Sequence, residues 1–119
     1  MNGELIYADA FAQYEAGRLA DATESFRLLC YQHPLEGKFW FGLAASLQES
    51  RSYLDALQAW AVASILQTTD PYPHFHAAEC YLSLQNKEDA ALALQQAEQR
   101  TPNEPLREKI ALLREQWLL

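Results

Sequence analysis

Residues 39–63 read FWFGLAASLQESRSYLDALQAWAVA, and the pattern of this stretch recurs at one offset on both sides of it. Ala22, Ala56 and Ala90 are spaced by 34 residues twice, without a slip. The same offset aligns four further columns: Ala10, Ala44 and Ala78; Phe26, Trp60 and Leu94; Leu29, Ala63 and Ala97; Leu19, Tyr53 and Lys87. Self-similarity at a fixed period of this size indicates a chain built from structural repeats.

The middle repeat alternates large and small side chains along two helical stretches. Its large and small positions are Trp40, Leu43, Ala44, Tyr53, Ala56, Trp60 and Ala63. Two antiparallel helices approach closely only where an Ala or Gly of one leaves a notch that a bulky side chain of the other fills. This pattern resembles the tetratricopeptide repeat. The resemblance implies an all-α fold: three tetratricopeptide repeats in a right-handed superhelical stack, plus a C-terminal capping helix.

The length of the chain fits a single tetratricopeptide domain. Three units of 34 residues and one more helix use almost all of the 119 residues. Three repeats are also the practical minimum, because one repeat cannot bury its own apolar face. We expect one domain over 1–119, with repeats at about 3–36, 37–70 and 71–104 and a capping helix at 104–118.

Turn residues predict where the helices begin and end. Ser52 is expected to cap the N-terminus of the fourth helix, and Asp70 to cap the fifth helix ahead of Pro71 in its first turn. A turn that begins at Thr101 ends the last repeat. The capping helix then presents four apolar residues on one side: Leu106, Ile110, Leu113 and Trp117. We expect that side to seal the open face of the third repeat.

The charge balance and the cysteines restrict the class of protein. Nine Lys and Arg against sixteen Asp and Glu give a formal net charge of −7, which argues against a nucleic acid as the partner. No apolar run approaches the roughly 20 residues of a membrane span, and the N-terminus lacks the pattern of a signal peptide. Cys30 and Cys80 lie on predicted helices and resemble small core residues, as in a reducing compartment. We expect a soluble, cytoplasmic protein without membrane insertion.

Residue types that could support catalysis or metal binding are few. His76 and Cys80 share a helical face, but His74 points elsewhere and no third ligand stands at a defined spacing. The sequence has no glycine-rich phosphate loop and no nucleophile motif. We therefore expect no enzyme activity, no cofactor and no metal.

The candidate binding residues lie on the first helix of each repeat, because the resemblance implies that these helices line the concave side of the stack. Ten positions form the predicted groove: Tyr7, Phe11 and Tyr14 on helix one; Phe41, Ala45 and Gln48 on helix three; Phe75, Glu79 and Leu82 on helix five; and Lys38 near one edge. The spacing i, i+4, i+7 makes the first three a continuous aromatic stripe. Such a groove suits an extended peptide whose alternate side chains enter pockets. Packing against a second copy of the chain is the competing interpretation of this stripe.

Three stretches resemble one tetratricopeptide subfamily more specifically. They read AFAQYEAG at 10–17, FGLA at 41–44 and FHAAEC at 75–80, and they look like the three repeats of the chaperones that serve type III secretion translocators. The likeness covers about 100 residues, 7–106. Members of that family are small, acidic, cytosolic and non-enzymatic, and they keep hydrophobic translocator proteins soluble until export.

The family resemblance implies a bacterial cytoplasmic chaperone that holds an extended translocator segment in its concave groove. Matched position by position, Tyr7, Phe11 and Tyr14 would be pocket aromatics, with Phe41, Phe75 and Leu82 contributing further along. Family members usually carry a helical extension before the first repeat, implicated in dimer formation, whereas this sequence starts almost directly at helix one. A homodimer is therefore left open. The alternative function is a tetratricopeptide adaptor that assembles a bacterial complex unrelated to secretion.

Overall fold

A computed structural model describes residues 3–100 and 102–118 of the chain, and this part is all α, as the repeat predicts. Seven α-helices follow one another: α1 Gly3–Glu15, α2 Leu19–Gln32, α3 Gly37–Glu49, α4 Tyr53–Leu66, α5 Tyr72–Ser83, α6 Lys87–Gln99 and α7 Glu104–Leu113. A π-helical turn, Arg114–Leu118, continues α7. Thr101 and the ends of the expected domain, residues 1, 2 and 119, lie outside the described residues. The division into repeats stays a prediction.

Consecutive helices from α1 to α6 pack against each other, and together with the C-terminal helix they form an elongated molecule of 48 × 26 × 22 Å. Short turns join them, so neighbouring helices run antiparallel and α1, α3 and α5 run in the same direction. The contact of Lys38 with Glu4 joins the starts of α1 and α3, as this arrangement requires. One face of the stack is therefore built from the first helix of each pair.

The alanines of the repeat columns lie in the interior of the stack. All eight are fully buried: Ala10, Ala22, Ala44, Ala56, Ala63, Ala78, Ala90 and Ala97. Large side chains of the second helices fill the space opposite them, with Phe26, Trp60 and Leu94 buried at equivalent positions. Interlocking of this kind gives the interior the packing density of an organic crystal.

The caps of α4 and α5 test the expected helix starts. Asp70 Oδ1 does accept a hydrogen bond from the Tyr72 N–H at 2.9 Å. However, α5 begins at Tyr72, so Pro71 occupies the N-cap position and Pro73 is the proline of the first turn; the expected positions of Asp70 and Pro71 are wrong by one residue. Ser52 precedes α4 but its hydroxyl makes no capping bond, so that expectation is wrong. The equivalent residue before α6, Asn86, has similar backbone angles and a longer side chain, which does reach the Asp89 N–H at 3.1 Å.

The C-terminal helix covers the end of the stack with only part of its predicted apolar side. Leu106 and Ile110 are buried in one cluster with Phe75 of α5, and Leu113 packs at the edge of this cluster. Trp117 is 49% exposed, so its expected place in the interior is wrong. The reason is the π-helical turn, which contains more residues than an α-turn and rotates Trp117 away from the apolar side.

Arg100, just after α6, closes the C-terminus of α4. Its Nη1 donates to the backbone carbonyls of Ser64, Gln67 and Asp70 at 3.0, 3.1 and 3.2 Å. Carbonyls at the end of a helix have no partner within the helix and carry partial negative charge, so a guanidinium stabilises them. Burial, and then the nearby Arg100 charge, lower the pKa of His74.

Both cysteines are buried, and burial raises the pKa of the Cys30 and Cys80 thiols to about 12. We expect neither thiol of the native protein to react with a thiol reagent at about pH 8, since the thiolate is the reactive form. Both should react once the chain is unfolded in guanidinium. Rapid modification of either residue in the native protein would contradict this, and Cys30→Ser and Cys80→Ser variants would identify which one reacts.

The raised pKa values of the two thiols also make the free energy of unfolding depend on pH. Because the native thiols hold their protons above the pKa of about 9 of an unfolded thiol, the unfolded state binds fewer protons in that range. The free energy of unfolding should fall as pH rises from about 9 toward 12.

Within residues 3–100 and 102–118, none of the helices combines the length and the apolar character needed to cross a bilayer.

Candidate functional site

A pocket of about 210 Å³ opens between α1 and α3 and is lined mainly by aromatic and small side chains. Its lining residues are Tyr7, Phe11, Tyr14, Phe26, Lys38, Phe41, Gly42, Ala45 and Gln67. A cavity of about 150 Å³ lined by apolar side chains binds benzene, so this pocket has room for a Leu or Phe side chain. Six of the ten predicted groove residues thus surround one pocket, which we name the α1–α3 pocket.

The aromatic stripe of α1 forms one wall of the α1–α3 pocket. The Tyr7 ring lies 5.4 Å from the Phe39 ring and 6.1 Å from the Phe26 ring, which fixes it against the interior. Phe11 stands beside Tyr7 and is 47% exposed, so its ring is available to a ligand. Tyr14 is half-buried, and burial, then the Glu49 carboxylate, raise the pKa of its phenol. The wall is therefore anchored at Tyr7 and open at Phe11.

Lys38 stands at the edge of the pocket where α1 and α3 begin. Its Nζ lies 3.0 Å from Glu4 Oε1 and 4.9 Å from the centre of the Tyr7 ring. The hydrogen bond to Glu4 raises the pKa of the Lys38 ammonium. Before any ligand binds, the Lys38 ammonium group thus already contacts a carboxylate and an aromatic face.

Gln48 and Glu79 form a polar network next to the pocket. Trp60 Nε1 donates to Gln48 Oε1 at 2.8 Å, and Gln48 Nε2 donates to Glu79 Oε1 at 3.1 Å. His76 Nδ1 lies 2.6 Å from the same Glu79 oxygen. The His76 ring stacks on Trp60 at 4.9 Å, and Phe41 lies edge-on to both rings. This network ties α3, α4 and α5 together at the face formed by the first helices.

Phe75 and Leu82, predicted to line the groove on α5, lie in the interior at 4% and 7% exposure. Phe75 packs in the cluster that includes Leu106 and Ile110 of the C-terminal helix. The helix that follows the third repeat covers the Phe75 position, whereas the equivalent Phe41 is left half-buried. On α5 the residues that meet the α3 stripe are His76 and Glu79 instead.

Three pocket residues were missed by the sequence prediction because they stand outside the helical stripes of α1, α3 and α5. Phe26 forms part of the pocket lining from α2, and Gly42 leaves the space that its ring occupies. Gln67 follows α4, and its Oε1 is buried without a hydrogen-bond partner in the described part of the chain. The 34-residue offset places Gly42 and Phe26 at the positions equivalent to His76 and Trp60. This correspondence could have identified Gly42 and Phe26 as neighbours.

His74, His76 and Cys80 of α5 have side chains of types that can bind a metal ion. Among residues 3–100 and 102–118, no three His, Cys, Asp or Glu side chains stand close enough to hold an ion. His76 is engaged with Glu79 and stacked on Trp60, which accounts for its place in the fold.

Known proteins match this chain along most of its length. The sequence model of the tetratricopeptide repeat family matches residues 38–70. The Low calcium response locus protein H of Yersinia pseudotuberculosis is 31% identical over 102 residues, which are 86% of this chain and 61% of that protein. The chain spans about three fifths of the length of the curated relatives it matches.

Two solved structures extend the comparison. The Yersinia enterocolitica type III secretion chaperone SycD, in complex with a peptide of the translocator YopD, is 29% identical with a TM-score of 0.86, over 97% of this chain and 88% of that one. PcrH, in complex with the chaperone binding region of PopB, is 31% identical with a TM-score of 0.83, over 98% of this chain and 94% of that one. This chain is therefore similar to both chaperones in fold and in sequence.

Proposed function

This chain belongs to the family of tetratricopeptide-repeat chaperones of type III secretion translocators, and on that basis we propose that it holds an extended segment of a hydrophobic translocator in the groove built from α1, α3 and α5. The client would thereby stay soluble and competent for export in the bacterial cytoplasm. The protein would act by binding alone, without enzyme activity.

The observation that carries the proposal is the α1–α3 pocket in a chain whose relatives are chaperones. Burying one large apolar side chain of a ligand contributes about 1.5–3 kcal/mol. Two or three such anchors would give micromolar binding once the ligand's ordering cost is subtracted. A net charge of −7 would keep the complex with an apolar client in solution.

We expect Phe11→Ala to weaken peptide binding about tenfold, a loss of ~1.4 kcal/mol. The exposed Phe11 ring forms part of the pocket wall, and its removal leaves less apolar surface for the ligand's anchor. Tyr14→Ala should act in the same direction. The measurement is calorimetric titration with synthetic peptides from the N-terminal regions of candidate translocators.

Tyr31→Ala provides the matched control, because Tyr31 is an exposed aromatic residue of α2 outside the pocket lining. This variant should bind as the unchanged chain does, and all three variants should keep the helical circular-dichroism signal. Unfolding of Phe11→Ala and Tyr14→Ala would show that these rings are core, against the proposal. No binding of any peptide by the folded chain would favour the adaptor function instead.

A second copy of the chain is the competing occupant of the Tyr7, Phe11 and Tyr14 surface. Sedimentation of the chain and of Phe11→Ala separates the two: a dimer that Phe11→Ala converts to monomer would assign the stripe to a subunit contact. Peptide binding by a monomer would assign it to the client.

A further inference from the structure

We propose that the groove selects a client segment that carries a Lys or Arg about two to four residues from its apolar anchor, with the basic group bound by Glu79. The inference rests on the proposed function and adds a chemical requirement to it. A client peptide of this groove would carry an apolar and a cationic residue at a defined spacing.

The two oxygens of the Glu79 carboxylate differ in their contacts. Oε1 accepts a hydrogen bond from Gln48 and lies 2.6 Å from His76 Nδ1. In the described part of the chain, Oε2 makes no hydrogen bond and no ion pair, and the Glu79 side chain is 36% exposed. Because a carboxylate oxygen only accepts hydrogen bonds, His76 Nδ1 is the donor in this contact, and Oε2 keeps its acceptor sites for a ligand.

The neighbours of Glu79 hold it in place. Gln48 is fixed in turn by Trp60, and the His76 ring stacks on Trp60 and on Tyr72. Because its position is set before a ligand binds, Glu79 loses little side-chain freedom when a cation arrives. A mobile surface carboxylate lacks this advantage and contributes little to an ion pair.

The charges along the groove are complementary to a cation at this end. Lys38 stands at the opposite edge and is already paired with Glu4. The Glu49 carboxylate lies near enough to Tyr14 to raise the pKa of the phenol, which adds a second negative charge at the C-terminal ends of α1 and α3. The C-terminal turns of α1, α3 and α5 add partial negative charge and contain no basic residue. Arg51, in the turn after α3, is exposed and makes no ion pair with Glu79.

The distance from the pocket to Glu79 determines the spacing. Ala45 lines the α1–α3 pocket, and Gln48, which contacts Glu79, follows it by three residues on α3. Three residues of helix advance about 4.5 Å along α3, and the Gln48 side chain with its 3.1 Å bond to Glu79 adds the distance across to α5. An extended peptide advances about 3.3 Å per residue, and the long stem of Lys or Arg adds to its reach. An anchor in the pocket therefore leaves a basic side chain a few residues away within reach of Oε2.

The test is a selection from a random-peptide display library on the unchanged chain, Glu79→Gln and Glu24→Gln. Glutamine keeps an oxygen that can accept from Gln48 and His76, so Glu79→Gln removes mainly the charge. Glu24 is exposed on α2, so Glu24→Gln is the matched loss of charge outside the groove. On the unchanged chain and on Glu24→Gln, we expect peptides with a large apolar residue and a Lys or Arg at a fixed offset. On Glu79→Gln, the apolar residue should remain and the basic enrichment should disappear.

Titration with one selected peptide measures the same contact without altering the chain. Replacing its basic residue by Gln should weaken binding to the unchanged chain about fivefold, and high salt should reduce this difference. Binding to Glu79→Gln should not change with the replacement.

Each further outcome decides between the two proposals. Selected peptides with an apolar anchor and no basic enrichment would overturn this inference and leave the proposed function standing. Basic enrichment that persists on Glu79→Gln would do the same. If the folded chain enriches no peptide at all, the proposed function fails and this inference fails with it.

Discussion

Replacing Trp60 by alanine should lower the free energy of unfolding by about 3–5 kcal/mol, the range observed when a buried large aromatic residue is truncated. Trp60 is 1% exposed and is among the largest fully buried side chains. Its ring packs edge-on against Phe41 at 4.7 Å and stacks on His76 at 4.9 Å. Truncation would leave a cavity at the junction of α3, α4 and α5.

Trp60→Ala also removes a hydrogen bond of the polar network, which lowers the free energy of unfolding further. Trp60 Nε1–H is the donor to Gln48 Oε1, so Trp60→Ala leaves that oxygen without this bond. A half-buried acceptor that loses its donor adds a cost in free energy to that of the lost packing. A domain of this size has about 5–15 kcal/mol of stability in total, so the variant should be close to unfolding.

Urea unfolding followed by far-ultraviolet circular dichroism is the measurement, since tryptophan fluorescence would change with the substitution itself. Trp117→Ala is the matched control: the same side chain is removed from an exposed site in the terminal π-helical turn. We expect its stability to change by less than about 1 kcal/mol. Equal losses in the two variants would contradict the buried position of Trp60.

Gly42→Ala should destabilise the chain by about 2 kcal/mol or more, although alanine is the better helix former. A Cβ atom at Gly42 would stand 2.3 Å from Cε1 and 2.5 Å from Cζ of the Phe26 ring. Phe26 is almost completely buried, so its ring cannot turn aside without disturbing the core. The bare backbone of α3 at this point is what allows α2 to approach.

A double-mutant cycle with Phe26→Ala tests whether the Phe26 ring causes the destabilisation by Gly42→Ala. Without the Phe26 ring, the three atoms that the added methyl group would approach most closely are gone, so Gly42→Ala should stabilise that background by roughly 0.5–1 kcal/mol through helix propensity. The sign of the Gly42→Ala effect would therefore reverse between the two backgrounds. Destabilisation in both would show that the Phe26 contact is not the cause.

Gly3→Ala is the control for the glycine substitution. The atoms nearest to its added Cβ all belong to the His33 side chain, the first at 3.0 Å, and the exposed imidazole can shift at little cost. We expect Gly3→Ala to be close to neutral in the same urea experiment. A loss comparable to that of Gly42→Ala would indicate a general cost of adding methyl groups at these helices.

Stripe residues that have no helix stacked over them line the α1–α3 pocket, and their role in binding a peptide stays a prediction. Phe11 and Ala45 face the α1–α3 pocket because helical spacing places them on the same side as their neighbours in the stripes. The same spacing failed for Phe75 and Leu82. Their helix lies next to the end of the stack, where the C-terminal helix covers Phe75.

The contacts that hold distant segments together were not predictable from periodicity. Arg100 bonds carbonyls of Ser64, Gln67 and Asp70, at sequence separations of 36, 33 and 30. Gln48 joins Trp60 to Glu79, which lie on two other helices. Such bonds depend on the direction and length of individual side chains, and no repeat pattern encodes these.

The sequence by itself determined the helices, the repeat and the buried alanines. Close packing of antiparallel helices requires small residues at fixed intervals, and the 34-residue offset shows those intervals directly in the sequence. Tertiary structure alone decided which aromatic rings stay open, how Glu79 is held and how Trp117 turns outward. These features depend on which helix covers which face and on whether a side chain reaches its partner. Both are properties of the assembled stack rather than of any stretch of chain.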